Sequence, residues 1–315
     1  MSSQLDALTE INISDLISSF GWEKRPLLAA ALRRLFISSA RKFAQQIVDF
    51  DEDTGQTNLA EASRKLMHKY YVNDVRVYGR ENVPASGPAL FLSNHPGMAD
   101  TLSLFAAINR PDLKIIALHR PFLVSLGHVT KQLFFIDGDS AKRMHAVRQV
   151  SAHLRNGGAV LTFPAGKIEP DPTVYQGASA SLNDWTDSAG VFMRFVPQTK
   201  IVPVLVSGVV WKKTAQHWFT YLKRAREERE KLATAVQLLA MVTQNIRPTT
   251  VHVQFAKPIT ADEINSTRAE DIHQAVVLRM RDLIESSFQD QGISVLYPEA
   301  VNRAEISNNP SVESV

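Results

Sequence analysis

The fold of this chain is decided by the stretch at residues 89–100, Ala89-Leu90-Phe91-Leu92-Ser93-Asn94-His95-Pro96-Gly97-Met98-Ala99-Asp100. It begins with a compact apolar run, which predicts a buried strand. The residues that follow, Thr101 to Asn109, are predicted to form a helix. The polar residues between them therefore occupy a turn that joins a strand to a helix.

From Val75 onward, short β-rich runs alternate with helical stretches. We predict strands at Val75–Tyr78, Ala89–Leu92, Lys114–Leu118, Leu133–Ile136, Ala159–Phe163, Lys200–Val206 and Val251–Phe255. Helices are predicted at about 99–109, 140–156, 178–195, 215–245 and 268–288. This alternation predicts an α/β fold with a mixed, mostly parallel sheet flanked by helices. Residues before about 75 are predicted to form an N-terminal helical segment, with a loop near Asp51–Gly55.

The composition excludes several kinds of chemistry. The chain contains no cysteine, so disulfides, thiolate catalysis and zinc sites with cysteine ligands are excluded. No two histidines lie three or four positions apart with a carboxylate partner, and His145 and His153 are expected on one face of a helix. We therefore expect no metal and no bound cofactor.

No segment has the pattern of a membrane span or a secretory signal. The longest apolar run, Ile201 to Trp211, is about half the length that a spanning helix needs. The first twenty residues carry acidic side chains and no basic leader. Nucleic-acid binding is not expected either, because the basic residues are not interleaved with aromatic ones.

A basic amphipathic region lies near the N-terminus. Its cations are Lys24, Arg25, Arg33, Arg34, Arg41 and Lys42, and apolar residues recur through it at roughly helical spacing. Two interpretations stay open here. The helices pack on the domain with a solvated basic face, or they lie on a membrane surface.

A histidine and an aspartate five positions apart, His95 and Asp100, form the candidate catalytic pair. The carboxylate can orient the imidazole, which then takes a proton from a substrate hydroxyl. The spacing alone is weak, and by itself it favours a surface histidine near a helix start, with Asp100 stabilising the helix dipole. Asn94-His95, Asp137-Gly138 and Pro164–Lys167 each follow a predicted strand, however, so these turns are expected to meet at one edge of the sheet.

The order of four motifs resembles the glycerophospholipid acyltransferase family, which includes lysophosphatidate and glycerol-3-phosphate acyltransferases. Residues 94–100 resemble the family's N-H-x-x-x-x-D block, and residues 133–139 its F-I-x-R strand end. Residues 161–167 resemble its F-P-E-G-T block, and residues 200–204 its I-V-P-V strand. The similarity covers about Val75 to Phe255.

The resemblance implies acyl transfer from a thioester to an alcohol. His95 is the expected general base on the acceptor hydroxyl, and Asp100 the group that orients it. A covalent acyl-enzyme is not needed, which fits the absence of cysteine and of a nucleophilic serine motif. Within the first motif, Asn94 is expected to contact substrate. Pro96 suits an early helix position, and Gly97 is expected to let the backbone approach a ligand.

The motifs that bind the acceptor's phosphate in this family are altered here. Gly138 replaces the usual arginine of the second motif, and Ala165 and Lys167 replace glutamate and threonine of the third, with Ile168-Glu169 following where an arginine often lies. The remaining substrate-binding candidates are a set of basic and turn residues: Arg120, Lys142, Arg143, Pro164, Gly166 and Lys167. Gly166 is expected to offer its N–H to an anion, and Lys142 and Arg143 lie near a predicted helix start, where anions are favoured.

We therefore expect an acyltransferase that uses acyl-CoA or acyl carrier protein as donor and glycerol phosphate or a lysophospholipid as acceptor. Two alternatives stay open: a non-phosphate polar lipid acceptor such as an aminoacyl lipid, and a non-catalytic lipid-binding protein of the same fold. The expected parts are a helical, membrane-surface segment at 1–74, the acyltransferase domain at 75–300 and a disordered tail at 301–315. The expected location is the cytoplasm, peripheral to the inner face of the cell membrane.

Overall fold

The computed structural model describes residues 2–136, 138–222, 225–266, 268–286 and 292–297. These residues form one sheet of eight strands. In chain order the strands are β1 (Asp74–Tyr78), β2 (Ala89–Ser93), β3 (Leu113–Leu118), β4 (Leu133–Ile136), β5 (Ala159–Thr162), β6 (Lys200–Ser207), β7 (Thr250–Phe255) and β8 (Ile293–Ser294). Their spatial order is β4-β3-β5-β2-β6-β7-β1-β8.

Most neighbouring strands are parallel. The five strands from β4 to β6 run in one direction, with β2 hydrogen-bonded to β5 on one side and to β6 on the other. β7 is antiparallel to β6 and parallel to β1, and β8 is an antiparallel edge strand. The predicted mixed, mostly parallel sheet is confirmed. The carboxyl ends of β2, β3, β4, β5 and β6 consequently lie along one edge.

Helices cover both faces of the sheet. The described residues form α1 (Ser2–Phe20), α2 (Pro26–Gln56), α3 (Leu59–Leu66), α4 (Met98–Ile108), α5 (Pro121–Val124), α6 (Ser140–Arg155), α7 (Ala178–Ser181), α8 (Ser188–Phe195), α9 (Lys212–Ala215), α10 (Arg226–Gln244), α11 (Ala261–Ile264) and α12 (Ala269–Glu285). Alternate residues of β2 bury on opposite faces, because side chains of a strand point to each side in turn. Phe91 packs with α2, α3 and α4, whereas Leu90 and Leu92 pack with α6, α8 and α12.

The prediction of a loop near Asp51–Gly55 is wrong, since α2 continues as a helix to Gln56. Asp51 and Thr54 are buried on the inner face of this helix. The Asp51 carboxylate accepts hydrogen bonds from the backbone N–H groups of His128 and Val129, at 2.9 and 2.8 Å. A tertiary contact therefore overrides the local loop signal, and the chain turns instead at Asn58, which caps α3.

Two long predicted helices are broken into shorter ones. The stretch 178–195 contains α7, a 3₁₀ turn and α8, because the Thr186 N–H donates to the Pro164 carbonyl and leaves Trp185 extended. The stretch 215–245 contains the end of α9, a 3₁₀ helix at Trp218–Leu222 and α10. The Thr220 hydroxyl donates to the carbonyls of Ala215 and His217, which ends the first of these helices.

The edge strand β8, the residues outside the description and the membrane remain to be compared with the predictions. The two-residue strand β8 has no counterpart in the sequence pattern, and Ser294 in it bonds to Asp74 at 2.5 Å. Asp137 and the predicted tail at 301–315 lie outside the described residues. Within the described part of the chain, every helix is too short or too polar to cross a membrane.

Candidate active site

Asn94 fastens the turn after β2 to the neighbouring strand β6. Its side-chain amide donates to the Val206 carbonyl at 2.8 Å and accepts from the Val206 N–H at 2.8 Å. The side chain is buried, so it continues the sheet's hydrogen bonding beyond the last residue of β2. The Asn94 amide, which was predicted to contact substrate, therefore makes hydrogen bonds within the fold.

His95 and Asp100 form the hydrogen-bonded pair that the spacing predicts. The distance from His95 Nδ1 to Asp100 Oδ2 is 2.8 Å. The carboxylate is fully buried, whereas the imidazole side chain is 27% exposed. Because an ionised carboxylate only accepts hydrogen bonds, His95 carries its proton on Nδ1 and leaves Nε2 as the basic nitrogen.

Asp100 also fixes the start of α4. Besides His95, it accepts hydrogen bonds from the Gly97 N–H at 2.8 Å and from the Thr101 hydroxyl at 2.9 Å. Gly97 is the N-cap, and Asp100 at the third helical position reaches back to it, as in a capping box. One carboxylate therefore sets both the helix and the orientation of the imidazole.

Two details of this turn differ from the predictions. Pro96 precedes the N-cap and does not lie in the first turn, because the Gly97–Asp100 bond starts the helix at Met98. The Gly97 N–H, expected to face a ligand, donates to Asp100. A Cβ at this glycine would come within 3.3 Å of Val209 Cγ1, so the loop after β6 packs closely against it.

Phe163 and two carboxylates set the environment of the imidazole. The Phe163 ring stacks on His95 with centroids 4.4 Å apart and an interplanar angle of 25°. Burial lowers the pKa of His95, but the charge and hydrogen bond of Asp100, together with the charge of Glu169, raise it more. The net pKa lies above the ordinary value, so the histidine is a stronger base than a free imidazole.

Glu169, in the loop after β5, is a buried carboxyl that contacts His95. It accepts hydrogen bonds from the His95 N–H at 3.2 Å, the Ser181 hydroxyl at 3.0 Å and the Trp185 indole N–H at 2.8 Å. Its own N–H donates to the His95 carbonyl at 2.9 Å. Burial raises the pKa of Glu169 to about 7, against the lowering effect of its hydrogen bonds.

Asp171, two residues later, joins this loop to the loop after β6. Its carboxylate accepts from the Thr173 N–H and hydroxyl at 3.0 and 2.8 Å, and from the Gly208 and Val210 N–H groups at 3.1 and 2.9 Å. The side chain is fully buried. The loops that surround His95 are therefore held by carboxylates bonded to backbone.

The third motif forms a tight turn beside this site. The Gly166 N–H, which was expected to bind an anion, closes the turn by donating to the Phe163 carbonyl at 3.0 Å. Its φ of +63° is left-handed, which favours glycine. The Pro164 carbonyl accepts from Thr186. Lys167 extends to the surface, where its ammonium lies 3.1 Å from the Asp184 carboxylate and is about half exposed.

The other basic candidates lie further along the edge. Arg120 follows β3 at the start of α5, and its charge lowers the pKa of Asp15 on α1, which burial raises more strongly. Lys142 and Arg143 are exposed in the first turn of α6. β4 is three strand spacings from β2, about 14 Å. The predicted anion site at the start of α6 already holds the Asp139 carboxylate, which caps Ala141 at 3.0 Å.

An apolar crevice adjoins the catalytic turn on the side of β6 and α10. Its lining includes Pro96, Ala99, Leu102, Val209, Leu238 and Met241. Pro96 and Ala99 lie next to His95 and Asp100 in the sequence, so the crevice adjoins the segment that carries this pair. Among the described residues, no cluster of three or more histidines and carboxylates is placed to hold a metal ion.

The residues that sequence reasoning missed are Phe163, Glu169, Ser181 and Trp185. Phe163 belongs to a recognised motif, so its position was known but its contact with His95 was not. In the sequence, Glu169 was noted only because it lies near a position where the family often has an arginine. A carboxylate between proline-rich residues, Glu169-Pro170-Asp171-Pro172, is the signal that marks a rigid loop. Ser181 and Trp185 carry no pattern that links them to His95.

The comparison with protein families agrees with the resemblance stated from the motifs. Residues 74–207 match the family model described as Acyltransferase. The structure is similar to that of the 1-acyl-sn-glycerophosphate (LPA) acyltransferase PlsC from Thermotoga maritima, with 16% identity and a TM-score of 0.41. The alignment covers 90% of this chain and 98% of that one. No curated protein sequence matches.

Proposed function

We propose, from the match of residues 74–207 to the Acyltransferase family model, that the protein transfers a fatty acyl group from a thioester to a lipid hydroxyl. The donor is acyl-CoA or acyl carrier protein, and the acceptor is glycerol phosphate or a lysophospholipid. One observation carries the proposal: the partly exposed imidazole of His95 is bonded through Nδ1 to the buried Asp100 at 2.8 Å.

The reaction follows from this pairing. Nε2 of His95 takes the proton of the acceptor hydroxyl while the oxygen attacks the thioester carbonyl. A C–O bond forms, the C–S bond breaks, and the proton passes from the imidazolium to the departing thiolate. The products are an ester and a free thiol, and His95 returns to its neutral form. Asp100 stabilises the imidazolium that exists between these two proton transfers.

The donor's acyl chain is assigned to the crevice beside Pro96 and Ala99. Its lining is largely apolar, and an apolar chain gains free energy by leaving water. A chain placed there would lie against Pro96 and Ala99, in the segment that carries His95 and Asp100. This arrangement supports a fatty acyl donor over a short polar one.

The acceptor is assigned to the exposed side of the sheet edge, where Lys167, Arg120, Lys142 and Arg143 supply positive charge. Lys167 is the nearest by topology, because β5 neighbours β2. Residue 138 is glycine where the family usually has arginine, and residue 165 is alanine where it usually has glutamate. These differences favour a second candidate, a polar lipid acceptor without phosphate, such as an aminoacyl lipid.

We also propose that the tip of the α1–α2 hairpin lies on the inner face of the cell membrane. Arg33 and Arg41 bond to Glu10 and Asp6 of α1, so they hold the hairpin together. Leu27, near the tip, and Leu35, further along α2, are 86% and 70% exposed. They lie among the exposed cations Lys24, Arg25 and Arg34, a combination suited to an anionic lipid surface.

The test is a matrix of donors and acceptors incubated with the purified protein. Labelled acyl-CoA and acyl carrier protein are each combined with glycerol 3-phosphate, lysophosphatidate, other lysophospholipids and an aminoacyl lipid, and lipid products are read by mass spectrometry. We expect a new ester that requires both donor and acceptor, and no acyl adduct on the protein with donor alone.

Three outcomes distinguish the candidates. A product only with phosphate-bearing acceptors supports the first proposal, and a product only with the aminoacyl lipid supports the second. Binding to vesicles without turnover of any pair favours a non-catalytic lipid-binding protein and contradicts both. Donor hydrolysis without acceptor is measured in parallel, so that thioester breakdown is not counted as transfer.

A further inference from the structure

The backbone of His95 is held on both sides by a single residue, Glu169. The Glu169 carboxylate accepts from the His95 N–H at 3.2 Å, and the Glu169 N–H donates to the His95 carbonyl at 2.9 Å. His95 lies just beyond the end of β2, where the sheet's own ladder stops. These two bonds therefore take the place of strand pairing and define where the catalytic turn lies.

The other carboxylate oxygen of Glu169 ties this contact to the helical layer. It accepts from Ser181 at 3.0 Å and from the indole N–H of Trp185 at 2.8 Å. Glu169 is 2% exposed and Trp185 is 4% exposed. A carboxyl buried to this extent costs free energy unless its partners repay it, and all three of these partners donate. The site is therefore built to hold an acceptor-only carboxylate.

We propose that Glu169 is a positioning residue for His95, which fixes the backbone of the catalytic histidine and places a second negative charge, after Asp100, beside the imidazolium formed during acyl transfer. The inference rests on the proposed function, because it assigns Glu169 a task in the cycle in which His95 is protonated and deprotonated. Glu169 itself touches neither donor nor acceptor in this account.

The electrostatics agree with this geometry. Within the described part of the chain, the charged groups that act on the imidazole are Asp100, from α4, and Glu169, from the loop after β5, and both raise the pKa of His95 against the effect of burial. The charge that acts on Glu169 is that of His95, which lowers its pKa, while burial raises it to about 7. Each group therefore favours the charged form of the other.

Glu169→Gln separates this role from simple packing. The glutamine keeps the side chain's shape, but one oxygen becomes an NH₂ group that faces a donor, either the His95 N–H or the pair from Ser181 and Trp185. The charge beside His95 is also removed. We expect kcat to fall about tenfold, because a small displacement of a catalytic group is costly, with both KM values within about twofold of wild type.

Two pH measurements test the effect of the Glu169 charge on the pKa of His95. Removal of the Glu169 charge lowers the pKa of His95, so the acidic limb of the kcat/KM profile should move at least about half a pH unit lower. A titration of the isotope-labelled histidine rings by NMR, with the His95 signal assigned by its loss in His95→Gln, should show the same shift. A merely structural role predicts neither shift.

The matched control is Asp171→Asn. It removes a fully buried carboxylate from the same loop whose observed bonds go to Thr173, Gly208 and Val210. It should lower thermal stability and leave the acidic limb where wild type has it. If Glu169→Gln does not fold, Trp185→Phe removes one donor from Glu169, raises the pKa of that carboxyl and should shift His95 in the same direction.

The outcomes are decisive in either direction. An acidic limb and a His95 titration identical to wild type in Glu169→Gln, or in Trp185→Phe where that variant is used, would overturn the inference, as would a shift of equal size in Asp171→Asn. Failure of the proposed function is distinguishable, because it appears as no transfer by the wild-type protein. The NMR titration still reports the effect of Glu169 on His95 in that case.

Discussion

The two halves of the sheet edge are built in different ways. Around His95, buried carboxylates are bonded to backbone and side-chain donors: Asp100 accepts three hydrogen bonds, and Glu169 accepts three. Around the proposed acceptor site, the cations Arg120, Lys142 and Arg143 are exposed, and Lys167 lies against Asp184 at the surface. The first half is fixed by the fold, whereas the second consists of solvated charges.

This difference predicts that the two halves contribute to the proposed reaction in different ways. A base that is buried and bonded before substrate arrives loses little free energy to reorganisation at the moment of reaction. Exposed charges attract an anionic headgroup over a distance but hold it weakly, since solvent screens them. Substitutions in the buried half should therefore change kcat and stability, and substitutions in the exposed half should change KM by small factors.

The largest effect is expected for Asp100→Asn. Loss of the charge that stabilises the imidazolium should reduce kcat roughly 10³–10⁴-fold. The remaining acidic limb should move to lower pH, because burial, which lowers the pKa of His95, is then less opposed. Steady-state kinetics across pH measure both effects. The matched control is Asp262→Asn, which changes an exposed carboxylate on α11. Equal rates in the two variants would contradict the distinction between the buried and the exposed half.

Asn94→Ala should cost stability more than any substitution on the exposed half. It leaves the N–H and carbonyl of Val206 without their side-chain partner in a buried site, which costs about 3 kcal/mol of unfolding free energy. Urea denaturation measures this loss. Asn183→Ala, at an exposed position in a 3₁₀ turn, should stay within about 0.5 kcal/mol of wild type. Equal stability of both variants would show that Asn94 is not part of the rigid half.

The hairpin tip is a third region, tested by the double substitution Leu27→Ser and Leu35→Ser. Removal of two exposed apolar side chains should weaken binding to anionic vesicles by about tenfold or more, if each inserts into the lipid surface. Cosedimentation with phosphatidylglycerol vesicles measures this affinity. Leu278→Ser, equally apolar and 57% exposed on α12, is the matched control. Unchanged binding in the double variant contradicts the membrane proposal.

The smallest effect is expected for Lys167→Ala. With a phosphate-bearing acceptor its KM should rise about fivefold and kcat should hold, since one exposed charge-assisted contact is lost. Asp184→Ala releases the lysine from its partner and should lower the same KM. Arg143→Ala, which follows β4 at about 14 Å from β2 along the sheet edge, should change it less than Lys167→Ala does. A fall in kcat for Lys167→Ala would place this lysine in the fixed half instead.

Local patterns were sufficient where the structure is local. The apolar run of β2 and the start of α4 lie within a dozen residues of each other, so the turn and the His95–Asp100 pair could be predicted from their order alone. The position of Pro96 was wrong because the capping bond from Gly97 to Asp100, and not proline's φ, starts the helix.

Contacts between distant segments could not be predicted in the same way. Glu169 meets His95 across 74 positions, and no spacing rule connects a loop after β5 to a turn after β2. For the same reason α2 continues through Gly55, since Asp51 binds backbone 77 positions away. Most of the acceptor-site candidates were chosen for their positive charge. Charge does not predict that the Gly166 N–H closes a turn, or that the Asp139 carboxylate caps the start of α6.

The most direct test of the central claim compares His95→Gln with His145→Gln under saturating donor and acceptor, both confirmed as folded by circular dichroism. His95 is the proposed general base, whereas His145 is an exposed histidine on α6. We expect kcat for ester formation to fall by roughly 10²–10⁴-fold in His95→Gln and to stay at the wild-type value in His145→Gln. Ester formation at the wild-type rate in a folded His95→Gln protein would contradict the proposed role of His95.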